Sequence, residues 1–220
     1  MINKINTKKL DKYWNSFYLK KTKDKPSTFA KYIKKKFLGK KKGKLIDLGC
    51  GDGRDTFYLS HSNFKTFGID KSQIIMKKNN ELVKINKNKG LYFKSTSVVS
   101  PSILKLGKFD YIYSRFFLHT INEKLQKKLF SNILTKITKK NSLCFFEFRT
   151  IKDKMFNLGL KQSKYERITN HYRRFIDVKK FVKLDYINNN FKILYSIERK
   201  NLSVYKKDNP VVCRIVLKKK

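Results

Sequence analysis

The sequence predicts a doubly wound α/β fold: a seven-stranded, mostly parallel sheet ending in an antiparallel hairpin and preceded by N-terminal cap helices. Three observations carry this. Short apolar runs alternate with helical patterns through the middle of the chain, as βα units require. The first of those runs breaks into glycines at alternate positions, and an acidic residue follows about twenty positions later. The last two apolar runs have no helix pattern between them, which suits a hairpin.

Taken in order, Lys8 to Leu19 reads as an aromatic helix carrying Tyr13, Trp14, Phe17 and Tyr18, and Pro26-Ser27-Thr28 opens a second helix through about Phe37. The first strand is Lys44 to Leu48, followed by a helix from about Arg54 to His61. A second strand, Lys65 to Ile69, is closed by Asp70, and Ser72 caps the next helix, where Ile75, Leu82 and Val83 share a face. Leu91 to Phe93 and, after a turn at Gly107, Phe109 to Tyr113 are the third and fourth strands. Thr120 and Glu123 form a capping-box pattern, behind which Leu125, Leu129, Ile133 and Ile137 recur every four residues. Leu143 to Phe148 is apolar except for Glu147, as expected of a parallel strand covered on both faces. Phe191 to Ile197 and Val211 to Leu217 form the hairpin.

A chain of 220 residues without repeats or a proline-rich linker fits one domain. Within it we expect a cap over 1–40, a cofactor-binding core over 41–150, a substrate-covering insertion over 151–180 and a terminal helix and hairpin over 181–220. Three scattered cysteines, Cys50, Cys144 and Cys213, fit a reducing compartment, and no apolar run reaches bilayer length, so a cytoplasmic protein is expected. The formal net charge of +38 would suit nucleic acid, but only eight of the 54 basic residues are arginine. Lysine spread evenly among abundant Asn, Ile, Phe and Tyr is what adenine- and thymine-rich codons supply, so the charge is read first as a solvated surface.

In Leu45-Ile46-Asp47-Leu48-Gly49-Cys50-Gly51-Asp52-Gly53 the glycines admit a ligand against the main chain, and Asp70 at the second strand end can accept hydrogen bonds from both ribose hydroxyls. A dinucleotide site would aim its helix N-terminus at a diphosphate. Here Asp52 and Asp55 flank that N-terminus, which repels phosphate and suits the ammonium and sulfonium of S-adenosylmethionine. With these residues the chain resembles the class I S-adenosylmethionine-dependent methyltransferases, from about Lys44 to the C-terminus. Gly49-Cys50-Gly51-Asp52-Gly53-Arg54-Asp55 is similar to a narrower bacterial group that includes tellurite-resistance-type and surface-polysaccharide-associated enzymes. The resemblance implies a Rossmann-like fold, with Asp47 and the glycine loop of Gly49, Cys50 and Gly51 around the methionine portion and Asp70 at the ribose; Arg54, Lys71 and Ser114 are further candidate cofactor-binding residues. Where the family often has an acidic residue for the adenine amine, this chain has Ser95-Thr96-Ser97, and Ser97 is assigned that place.

The acceptor should lie above the fourth and fifth strand ends. Arg115, His119, Glu147 and His171 are the candidate catalytic residues, and Arg149, Tyr172, Arg173 and Arg174 the candidate acceptor-binding ones. Five of eight arginines, Arg54, Arg115, Arg149, Arg173 and Arg174, fall in these segments, and their planar forks favour a carboxylate or phosphate on the acceptor. We therefore expect transfer to O or N of a small anionic metabolite or polysaccharide precursor. An RNA acceptor and a non-catalytic binding module on the same fold are the rivals. No metal is called for, and monomer and dimer both stay open. The aromatic N-terminal helix can serve as a lid or simply pack.

Overall fold

The computed structural model describes residues 7–20, 25–60 and 64–220. The expected end of the third helix at His61, and the first residues of the cap, lie outside the described residues. Its main sheet contains β1 (Gly43–Leu48), β2 (Phe64–Asp70), β3 (Leu91–Ser95), β4 (Phe109–Arg115), β5 (Thr138–Arg149), β9 (Phe191–Arg199) and β10 (Val212–Lys219). The strand order is β3-β2-β1-β4-β5-β10-β9. Pairs among β1 to β5 are parallel, while β10 runs antiparallel to both β5 and β9. The chain thus winds outward from β1 through β3, returns to β4, and places its switch point at the carboxyl ends of β1 and β4.

Strand alternation sorts side chains to two helical layers. Ile46, Leu48, Phe146 and Phe148 pack against Leu129, Phe130, Ile133 and Phe181 on one face. On the other, Leu45, Tyr113 and Phe145 pack against Phe29, Ala30, Ile33 and Leu59. The latter come from α2 (Thr28–Ile33), extended by a π turn over Lys34–Leu38, and from α3 (Arg54–Ser60). Ser27 caps α2 by accepting from the Ala30 amide at 3.0 Å, and Ser72 caps α4 (Gln73–Ile85) by accepting from Ile75 at 3.2 Å. The aromatic segment is α1 (Thr7–Lys20).

The helix after β4 begins two residues later than its capping-box pattern suggests. Asn122, not Thr120, is the cap of α5 (Glu123–Lys128), accepting from the Leu125 amide at 2.9 Å. Asparagine ranks among the best caps, and the Thr120 hydroxyl is consumed by the Phe117 carbonyl at 2.7 Å. The helix continues as a π turn over Leu129–Leu134 and a short α6 (Thr135–Ile137). Wider i→i+5 turns bring residues spaced by four back over one another, which explains the strict four-residue repeat.

Residues beyond β5 form a second, three-stranded antiparallel sheet of β6 (Leu160–Lys161), β7 (Glu166–Ile168) and β8 (Tyr172–Arg174). The short helices α7 (Val178–Phe181) and α8 (Asp185–Asn188) lead back to β9. Among the described residues no helix is long and apolar enough to cross a membrane.

Candidate functional site

The glycine bend forms because β1 ends against β2: the Gly49 and Cys50 amides donate to the Ile69 carbonyl at 2.8 and 3.0 Å. Two glycines are sterically required. Gly49 has φ +76°, and a Cβ there would lie 2.4 Å from the Phe117 ring. Gly51 has φ +52°, and its Cβ would lie 2.4 Å from Tyr18 of α1. Asp70 reaches this bend from the neighbouring strand, with one oxygen 3.1 Å from the Gly51 amide and the other 3.1 Å from the Ser72 amide. The strand end and the bend are therefore one site.

Two cavities meet there, sharing Trp14, Tyr18, Gly49 and Phe116. The smaller, about 410 Å³, is lined by Asp70, Lys71, Ser97 and Val98 and suits an adenosyl group. The larger, about 840 Å³, runs from Asp47, Cys50 and Asp52 past Arg115 to His171 and Arg173, roofed by α1 and the 200–211 loop. Both fall within the range of small-molecule pockets, about 300–1,000 Å³.

Electrostatics distinguishes the two ends of the larger cavity. Burial, reinforced by the charges of Asp55, Asp70 and Asp52, pushes the Asp47 carboxyl up to about 8, despite a 2.7 Å hydrogen bond from the Thr56 hydroxyl. Burial also raises Asp70, against the pull of the Ser72 and Gly51 amides. This end is short of positive charge and fits a cationic ligand. Asp55 contributes less than its position suggests, because Ser27, Tyr113 and Arg54 already surround its carboxylate. Burial alone would raise its pKa, yet Arg115 and Arg54 bring it below the ordinary value. At the far end both histidines are held neutral. Burial and the charges of Arg149 and Arg173 push His119 well below its usual value, while burial, Arg173 and Arg149 lower His171 to about 3.

These features fit the glycine bend and carboxylates of a methyl-transfer site. A family model for a methyltransferase domain matches residues 18–192. The chain belongs to that family. Protein PH0226 of Pyrococcus horikoshii OT3 is 18% identical with a TM-score of 0.70, the match covering 88% of each chain. An S-adenosylmethionine-dependent methyltransferase from Clostridium acetobutylicum ATCC 824 is 16% identical with a TM-score of 0.69, over 96% of this chain and 98% of that one. The glycopeptide N-methyltransferase MtfA, solved with S-adenosylhomocysteine, is 10% identical with a TM-score of 0.68, over 89% and 90%. At these identities the likeness shows the fold. No curated protein sequence matches the chain. A methyltransferase of this family and fold takes S-adenosylmethionine as methyl donor.

Of the methyltransferase's expected site residues, Asp47, Gly49, Cys50, Arg54, Asp70, Lys71 and Ser97 line one or both cavities, as do Arg115, His119, Arg149, His171 and Arg173. Five do not. Gly51 lies inside the bend, its amide on Asp70 and its open side covered by Tyr18. Ser114 is spent pinning β4 to β1 through the Leu48 carbonyl at 2.9 Å. Both Glu147 oxygens are enclosed, by Arg115 at 2.8 Å and Arg214 at 2.7 Å, instead of pairing with Arg149. The Tyr172 hydroxyl donates to Glu166 at 2.5 Å, and Arg174 donates to the Ile121 carbonyl at 2.9 Å and to Gln126, tying β8 to the start of α5. Phe116, one of the aromatics interleaved with Arg115 and His119, and Asp208 complete the wall. Phe116 takes φ +55°, directs its ring to both cavities and carries the Arg115 guanidinium 4.2 Å above it. Asp208 reaches Arg149 from the 200–211 loop. No local pattern marks Asp208.

Proposed function

We propose that this methyltransferase transfers a methyl group to an O–H or N–H of a small anionic metabolite or polysaccharide precursor. In this reading Asp70 holds the ribose, Ser97 lies beside the adenine, Asp47 and the glycine bend take the methionine portion, and the acceptor occupies the far end of the larger cavity. The observation that carries it is Arg173. Its guanidinium lines that cavity and makes no ion pair among the described residues, donating only to the Thr169 hydroxyl. Burial and then the charge of Arg149 lower its pKa, which is the signature of a cation lacking a counter-charge. Supply of that charge by the acceptor satisfies both.

The acceptor nucleophile does not need a strong base. The donor methyl is already activated, and in-line positioning in a dry pocket supplies about 7–11 kcal/mol, against about 10²–10⁴-fold from a general base. His119 accepts from the Arg149 amide through Nδ1 at 3.3 Å, so its neutral ring presents an Nε2 proton donor. His171 packs against Tyr13, ring centroids 4.3 Å apart, and Trp14, 4.8 Å apart, and shapes the wall. Both act as neutral orienting groups.

Matched acceptors that differ only in a carboxylate against its amide, scored by release of S-adenosylhomocysteine, test this reading. The anionic member should be preferred, and Arg173→Gln should raise its KM about 10–100-fold, the loss of one charge-assisted hydrogen bond, while sparing the neutral member. Equal use of both by the unaltered enzyme removes the proposal.

Asp47 adds a pH signature. Its carboxyl is protonated below about 8, and a cationic donor binds the ionised form better, so binding releases a proton. Affinity for S-adenosylmethionine should rise from pH 6 to 8, by at most about tenfold per pH unit, and flatten above. Calorimetric titration should show that slope reduced by Asp47→Asn; an unchanged slope would assign it elsewhere. The same raised value lowers the stability of the unliganded protein as pH climbs from the ordinary carboxylate range towards 8, because the unfolded chain gives up this proton first.

A further inference from the structure

We propose that Arg149 and Arg173 form an anion seat in the acceptor cavity, one that the protein's own Asp208 carboxylate fills and that the acceptor's carboxylate or phosphate takes over. This rests on the anionic-acceptor reading and adds how the seat is kept and released.

Arg149 has two acidic partners of different character. Asp153 is permanent: its side chain is fully buried, both its oxygens meet Arg149 Nη1 at 3.0 to 3.1 Å, and it also accepts from the Met155 and Val211 amides, each at 2.9 Å. Asp208 is not. It meets only the second terminal nitrogen of Arg149, its side chain is 41% exposed, and it stands on a surface turn. That turn has its own closure, since the Tyr205 and Asp208 amides and carbonyls bond each other at 2.9 Å, so the carboxylate can leave Arg149 without undoing the loop.

The Asp208 charge also bears on Arg173. Arg149 and Arg173 repel each other across the cavity wall, and Tyr13, then the carboxylates of Asp208 and Asp153, offset this at Arg173. One half-exposed carboxylate thus pairs with Arg149 and only partly offsets Arg173, where a second anion is electrostatically wanted. Lys206 and Lys207, on the same turn and lining the same cavity, add to the attraction. An acidic group that enters between the arginines replaces Asp208 in kind, with no buried guanidinium left bare.

The test uses inorganic phosphate as probe, titrated at constant ionic strength into the full chain. Trp14 is the sole tryptophan and lies 4.8 Å from His171, so its fluorescence reports on this wall, with calorimetry as the second reading. Asp208→Asn should bind phosphate at least tenfold more tightly than the unaltered protein, Asp208→Ser should behave alike, and adding Arg173→Gln to either should abolish the gain. Unchanged or weaker binding in both Asp208 variants overturns the proposal. If that occurs while Arg173→Gln still erases the preference for anionic acceptors, the displaceable carboxylate falls alone. If phosphate binds no variant and the acceptor pairs are used equally, the anionic reading falls with it.

Discussion

Replacing Asp70 with asparagine is expected to weaken S-adenosylmethionine binding about 100-fold, from the loss of two charge-assisted hydrogen bonds to ribose at about 1.5 kcal/mol each. The carboxylate already accepts from the Gly51 and Ser72 amides, one on each oxygen, and each oxygen keeps a further lone pair for a hydroxyl. An amide has one oxygen and must turn its NH₂ towards one of those two N–H groups, so the bend suffers along with the ribose. Calorimetric titration reads the affinity. Ser97→Ala is the comparison: its hydroxyl makes only a 3.4 Å contact with the Val99 amide, and its loss should cost no more than several-fold. A change below threefold for Asp70→Asn would place the ribose elsewhere.

What the sequence revealed and what it concealed follow from the distances over which each part is assembled. The cofactor end was legible because its determinants are local: a strand, a glycine bend and an acidic strand end within 26 residues, from Leu45 to Asp70, each with a steric or electrostatic reason to be where it is. The parallel core was legible because buried strands are apolar throughout. The insertion's sheet was not, since β6, β7 and β8 are two or three residues long, too short for a period of two to register.

The far end of the larger cavity takes in some of the expected residues and not others for a different reason. Polar residues in apolar strands stand out equally whether they face a ligand or one another. Arg115 and Arg173 reach the cavity, whereas Glu147, Tyr172 and Arg174 are consumed by partners such as Arg214, Glu166 and Gln126, from 6 to 67 residues away. Arginine scarcity in a lysine-rich chain marked sites where a planar fork matters. A fork matters as much for a buried structural network as for an acidic substrate.

Glu147 shows how the two roles separate experimentally. Its side chain is completely buried on β5 between Arg115 on β4 and Arg214 on β10. Arg115 goes on to the Ser203 hydroxyl at 2.7 Å, and Arg214 to the Thr28 hydroxyl at 2.9 Å and the Leu202 carbonyl at 2.6 Å. One carboxylate therefore ties three strands, the start of α2 and the loop that roofs the larger cavity. Removing it leaves two guanidinia facing each other in the interior, so Glu147→Ala should lower stability by about 3–5 kcal/mol, the cost of breaking a buried pair by deleting one partner. Urea unfolding at constant m-value measures this. Glu147→Gln keeps the shape but loses the charge, and should destabilise in the same direction while the folded fraction retains kcat within several-fold. A general base would give the opposite pattern, with kcat falling about 10²–10⁴-fold in Glu147→Gln and little change in unfolding. Replacing all three, Glu147→Leu with Arg115→Met and Arg214→Leu, should recover most of the lost stability, since a buried ion network gains little over well-packed apolar side chains of similar volume. It should not recover acceptor binding: without Arg115 and Arg214, Ser203 loses its partner and the Leu202 carbonyl keeps only the Thr28 hydroxyl, which loosens the loop bearing Asp208 over the cavity. Restored folding with a raised acceptor KM would show that the network serves the site by positioning its roof.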